Sequence, residues 1–260
     1  MKPAFFAVSL RQIALAVTVL ACAIPATQAL ASPLDWIAGE RIQGSGVIKT
    51  QKRELAHFTG VSLSLPANME LRIGATESVT IETDDNLLAQ VETVIENGTL
   101  KIRPVKRNSN LTSRAMKIIV TAKEIDRIAL GGSGSIESDA LKAAKLAIDL
   151  GGSGSINVKG LDADLVSVSV GGSGNLKTSG GNAGSVSISI GGSGDVDLGQ
   201  LKARDASVSV AGSGEATVWA SNALSVTIAG SGDVNYYGDP KISRSVVGSG
   251  GTKRLGGAPR

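Results

Sequence analysis

Along the C-terminal half of the chain, apolar and polar residues alternate one for one: Val166-Ser167-Val168-Ser169-Val170, Val186-Ser187-Ile188-Ser189-Ile190, Ser207-Val208-Ser209-Val210 and Ser225-Val226-Thr227-Ile228. A period of two built from β-branched residues predicts strands with one buried face. Each run leads into Gly-Ser-Gly, which begins at Gly132, Gly152, Gly172, Gly192, Gly212, Gly230 and Gly248, at intervals of 20, 20, 20, 20, 18 and 18 residues. Aligned on that turn, Leu130, Leu150, Val170, Ile190, Val210, Ile228 and Val246 form one apolar column. Ile128, Ile148, Val168, Ile188, Val208 and Val226 form a second, and Ile136, Ile156, Leu176, Val196, Ala216 and Val234 a third. Inward columns at constant register and a period near 20 predict an all-β parallel β-helix, each coil burying its face on the next.

The turn glycines follow from that geometry, since a sharp corner uses positive φ and stacked backbones must approach closely. At the last turn Arg244 and Thr252 replace column aliphatics, which marks a polar end of the stack that blocks edge pairing; Tyr236, Tyr237 and Pro240 are expected to close the core beside it. Leu55 to Ala122 is also β-rich but lacks the regular turn, and reads as irregular coils or a small β cap continuous with the solenoid. Within it, Asn97-Gly98 between Val91–Ile95 and Leu100–Arg103 is a two-residue hairpin signal. Lys101 to Arg114, basic and rich in Asn and Ser, is expected to be an exposed loop, with a polyanion patch as the alternative.

Lys2 and Arg11 flank an apolar stretch from Ile13 to Ile24, followed by Pro25 and by Ala29-Leu30-Ala31 before Ser32. This is the pattern of an export signal cut after Ala31, and the apolar stretch is short for a spanning helix. Val19-Leu20-Ala21-Cys22 is a poor lipobox, which makes a lipoprotein the secondary reading. Removing the signal takes the formal charge from +3 to +1 and removes Cys22, the one thiol. A mature chain of this kind carries no electrostatic footprint for nucleic acid and no disulfide, so packing and backbone pairing must stabilise it.

One histidine excludes any site that needs two imidazoles, and there is no Gly-x-Ser-x-Gly, phosphate loop or His-Glu-x-x-His. His57, beside Phe58, reads as a packing residue. No cofactor or metal motif is found; Gly191 to Asp197 misses the calcium nonapeptide, because Val196 stands where that pattern needs Asp. Two regular surfaces remain. Ser135, Ser155, Asn175, Asp195, Glu215 and Asp233 occupy equivalent positions after successive turns. The carboxylates Asp195, Glu215 and Asp233, about 5 Å apart, have the spacing of a hard-cation site or a retaining glycosidase pair, whereas Asp and Asn also simply favour turns. The second surface is a hydroxyl ladder of Ser167 and Ser169, Ser187 and Ser189, Ser207 and Ser209, Ser225 and Thr227, all predicted to face outward. A flat hydroxyl array on a rigid scaffold could bind sugar or ice; otherwise it is a solvated strand face.

Glu54-Leu55-Ala56-His57-Phe58-Thr59-Gly60-Val61, Thr83-Asp84-Asp85-Asn86-Leu87-Leu88, Glu96-Asn97-Gly98-Thr99-Leu100-Lys101-Ile102 and the reiterated Gly-Ser-Gly-Asp-Val together resemble the head GIN domain of autotransporter adhesins, over roughly Leu55 to Asn235. The resemblance implies an exported bacterial protein with a right-handed parallel β-helix, similar in shape to pectin lyases but without their catalytic residues. The chain then divides into a signal peptide (1–31), a linker or first coil (32–54), an irregular β region (55–125), regular coils (126–254) and a tail (255–260). The expected function is a non-enzymatic, adhesin-like or structural protein of the cell envelope, in the periplasm, on the outer membrane surface or secreted. It would bind a glycan or an envelope or host-surface protein. The alternative is a polysaccharide-active enzyme using the carboxylate column.

Overall fold

The computed structural model describes residues 40–107 and 109–259, so the predicted export signal and Cys22 lie outside the described residues. The chain is a β-solenoid of about 6 turns, with 67% of the described residues in strands. Nine strands precede the regular repeat: β1 (Arg41–Gln43), β2 (Ile48–Glu54), β3 (Gly60–Leu63), β4 (Asn68–Ile73), β5 (Ser78–Asp84), β6 (Val91–Glu96), β7 (Thr99–Pro104), β8 (Asn110–Thr112) and β9 (Lys117–Ala122). The repeat follows as β10 (Arg127–Leu130), β11 (Ser135–Ser138), β12 (Leu141–Leu150), β13 (Ser155–Val158), β14 (Leu161–Val170), β15 (Asn175–Thr178), β16 (Gly181–Ile190), β17 (Asp195–Gly212), β18 (Glu215–Gly230), β19 (Asp233–Tyr237), β20 (Lys241–Gly248) and β21 (Thr252–Gly256).

Two long ladders run the length of the stack. The first, ahead of the turn, passes from β6 through β7, β3, β10, β12, β14, β16, β17 and β18 to β20. The second, after the turn, passes from β2 through β5, β9, β4, β11, β13, β15, β17, β18 and β19 to β21. The first residues of β12, β14 and β16 pair with one another and with Leu201 to form a shorter third side. All three apolar columns read from the sequence are in register and buried up to Ile228 and Val234. Other inward columns complete the filling, among them Leu146, Val166, Val186, Ala206 and Leu224.

The turn glycines divide by what lies beneath them. A Cβ on Gly152, Gly172 or Gly192 would collide with the carbonyl oxygen of the glycine one coil below, so close backbone stacking, not positive φ, fixes these positions. Positive φ appears at this corner only from Gly212 onward among the described residues. The residue just before has open space, and there Gly151, Gly171 and Gly191 give way to Ala211, Ala229 and Val247.

The N-terminal region is not a run of coils in chain order. The β3–β4 coil lies between the later β7–β9 coil and the β10–β11 coil, parallel to both. Asn97 (φ 52°) and Gly98 (φ 72°) form the expected hairpin, with β6 antiparallel to β7. Arg103 and Lys101 are thus strand residues, bonded to Glu92 and Glu96, which corrects their reading as loop and removes them from any polyanion patch. Residues 48–54 form β2, antiparallel to β5 at the edge of the second ladder. The Arg53 guanidinium then ties the two ladders together, donating to the Val91 carbonyl (2.9 Å), Thr93 Oγ1 (3.0 Å) and the Leu88 carbonyl (3.1 Å). Buried Asp84 accepts from Ser113 Oγ and, next in weight, from Gly46 N, which hold its carboxyl below the usual carboxylate range.

Candidate functional site

Strand alternation alone decides which side chains the first ladder shows to solvent. Ser167, Ser187, Ser207 and Ser225 are register partners on β14, β16, β17 and β18, and so are Ser169, Ser189, Ser209 and Thr227. All eight are exposed. Ser243 and Ser245 continue both columns on β20. Adjacent hydroxyls therefore repeat at about 4.8 Å across strands and about 6.6 Å along them, a flat lattice of donors and acceptors. The array borders charge at its sides, where Asp205 accepts from Asn222 Nδ2 and Arg204, interactions that lower its carboxyl pKa.

The second ladder carries the carboxylate column, with Asp195, Glu215 and Asp233 all exposed. Each has an oxygen engaged in binding one coil to another. Asp195 Oδ1 accepts from Glu215 N (3.2 Å), Asp233 Oδ1 accepts from Gly251 N (2.7 Å), and Glu215 Oε1 accepts from Asn235 Nδ2. Among the described residues no group of three or more His, Cys, Asp or Glu is arranged to hold a metal ion. The upper two carboxylates border an open groove of about 380 Å³ with Asn235, Thr252 and Lys253.

A third surface escaped the sequence reading. Trp219 and Tyr237 are register partners on β18 and β19, partly exposed on the outer side. Lys202 Nζ lies 5.7 Å from the Trp219 ring centroid, a cation–π contact. The Tyr237 ring reaches Gly199, where a Cβ would come within 3.3 Å of it. Tyr236 alone of the two tyrosines is in the core, so the expectation that both close it holds for one. The available signal was the offset: Trp219 and Tyr237 each stand seven residues after the first glycine of their turn.

His57 is also placed differently from expectation. It is exposed rather than packed, and its Nδ1 contacts Glu77, whose carboxyl is held low chiefly by that bond and further by Lys123. A separate surface cleft of about 660 Å³ runs along the third side between Lys142, Asp162, Asp164 and Asn182.

Residues 57–240 match the family described as "Putative auto-transporter adhesin, head GIN domain". The chain belongs to that family. Two solved structures described as putative adhesins share the fold of this GIN-domain chain. The one from Bacteroides fragilis is 24% identical with a TM-score of 0.78, covering 82% of this chain and 100% of its own. The one from Parabacteroides merdae is 18% identical with a TM-score of 0.64, covering 84% and 100%. A third, from Parabacteroides distasonis and described as a putative lipid binding protein, is 28% identical with a TM-score of 0.70, covering 83% and 100%. No curated protein matches the GIN-domain chain.

Proposed function

We propose that this GIN-domain chain is a non-enzymatic binding module of the bacterial cell envelope or surface that engages a repetitive, hydroxyl-rich ligand, a glycan, along the first ladder. The observation that supports it is the exposed hydroxyl array, in register over Ser167, Ser187, Ser207 and Ser225 and over Ser169, Ser189, Ser209 and Thr227. A rigid lattice of this kind presents pre-placed hydrogen-bonding groups, so a polymer of matching repeat gains many weak contacts at little ordering cost. The family description as an adhesin fits this reading and an exported protein. The alternative, a polysaccharide-active enzyme, would use Asp195, Glu215 and Asp233, each of which already commits one carboxylate oxygen to an inter-coil bond.

The test is binding of the purified protein to an array of bacterial and host glycans, with and without calcium, while cleavage products are monitored. Saturable binding without cleavage, lost when Ser187 and Ser207 are both changed to Lys and retained when Asp195, Glu215 and Asp233 are all changed to Asn, supports the module. Cleavage abolished by the triple Asn variant overturns it in favour of the enzyme. Anionic and neutral lipid vesicles belong in the same experiment, because one similar structure is described as lipid binding. Every inward column is filled by side chains, so a lipid would have to meet the outer surface.

A further inference from the structure

The two ends of the solenoid differ. At the N-terminal end Arg53 bridges the ladders, and Phe58, Leu87 and Leu111 are buried. At the other end β20 and β21 pair only with the coil below among the described residues. All eight residues of β20 are exposed. Its alternation nevertheless continues the core: Ile242 and Val246 stand in register over Leu224 and Ile228. The lower pair is 1% exposed, while Ile242 is 43% and Val246 37% exposed, so two inward apolar positions have no cover among the described residues. Between them, at the inward position over Val226, stands Arg244. Lys241 precedes it on the same strand, and among the described residues neither cation makes an ion pair with a carboxylate.

We propose that this open edge is a second interaction site, which takes an extended acidic polypeptide segment by strand addition. The edge of β20 supplies unpaired backbone groups, and its inward side supplies an apolar, cationic, apolar sequence of positions. An incoming strand that reads apolar, acidic, apolar at every second residue would cover Ile242 and Val246 and place its carboxylate against the Arg244 guanidinium. Charge argues for this occupant over a two-fold pair of copies, since pairing β20 with itself about Arg244 sets Arg244 against Arg244. Head-to-tail stacking would instead bring β6, with Glu92 and Glu96 already bonded to Arg103 and Lys101, over β20, and is the competing occupant that self-association in the experiment would reveal. The site does not depend on the glycan reading, since it lies at the end of the stack and uses backbone and charge.

The experiment is fluorescence anisotropy with a labelled peptide of sequence Ser-Val-Thr-Glu-Thr-Val-Ser, against the same peptide with Lys at its centre, and with Arg244→Glu as the variant protein. The expected result is saturable binding of the Glu peptide, about tenfold or more tighter than the Lys peptide at low salt and weaker as salt rises. In Arg244→Glu the preference reverses, and because Arg244 is exposed the thermal midpoint stays near the parent's. Gain of Lys-peptide binding by the variant cannot come from misfolding. Equal binding of both peptides, no binding of either, or concentration-dependent self-association that the Glu peptide does not compete would each overturn the proposal.

Discussion

The coil of β3 and β4 and the coil of β14 and β15 bury side chains at the same register, yet they turn the corner between their strands by different means. In the first, Leu65-Pro66-Ala67 makes the corner, with Leu65 and Ala67 buried. In the second, the Gly172 and Gly174 backbones lie against those of Gly152 and Gly154, with no room for a Cβ. The regular coils thus hold their spacing through main chain, and each identical corner demands another above it. The N-terminal region holds its spacing through side chains: Arg53 across the ladders, Asp84 on the Gly46 loop, and Glu92 and Glu96 on Arg103 and Lys101. Repetition is therefore a consequence of corner chemistry, while parallel stacking itself needs only matched inward columns.

The largest effect is expected inside a regular coil. Val168→Asp places an unpaired charge in a column where Val168 is 3% exposed, and should cost more than about 4 kcal/mol, read as loss of the cooperative urea transition by circular dichroism. A variant as stable as its parent would show that the inward columns are wrongly assigned. In the N-terminal region, Phe58→Ala should cost about 3–5 kcal/mol in the same measurement, because Phe58 is fully buried. Hydrogen exchange should locate that loss first in β2, β5 and β6, since stability in a stack is partly local.

The sequence revealed the repeat because its period is also the structural period, so residues such as Val168, Ile188 and Val208 meet the same surroundings coil after coil. The order of the N-terminal strands has no such signal. Gly60 pairs with Thr99 and with Arg127, 39 and 67 residues away, and local alternation carries nothing about which distant strand comes next. The hydroxyl surface was readable as the polar half of the alternation, whereas the Trp219 and Tyr237 patch rests on two side chains in otherwise unlike flanks. Val246 fits its column and Arg244 reads as a terminal cap, whereas the absence of any described strand above them is a property of the stack, not of the local pattern.

Smaller perturbations separate the two corner types. Gly192→Ala drives a methyl into the Gly172 carbonyl and should cost about 1–3 kcal/mol by urea denaturation. Acid should act more on the other half. Glu77, Asp84 and Asp85 have carboxyls held low, by His57, by Ser113 and by Ser45 respectively as the leading causes. A carboxylate whose folded pKa is depressed stabilises the fold above its unfolded value, about 4, and that contribution disappears as pH falls through the folded value. Exchange in β2, β5 and β9 should therefore accelerate below about pH 4 before exchange in β14 and β16 does. The smallest effect belongs to Gly151→Ala, within about 0.5 kcal/mol, since nothing lies where the methyl would go and Ala211 and Ala229 already occupy that place.

The threading of the first coils also dictates a timetable. β3 and β4 have their two neighbours supplied by residues up to 122 and from 127 onward, so neither side of that coil can be paired until most of the first half of the chain has been made. Closing those long loops is the entropically costly step, and it comes before any repeat has a template. Once β10 and β11 are seated, each further coil needs contacts only 20 or 18 residues back, and growth becomes a short local search. A chain delivered N-terminus first would pause over its least regular part and then lengthen coil by coil, with the register of every later turn inherited from that one early event.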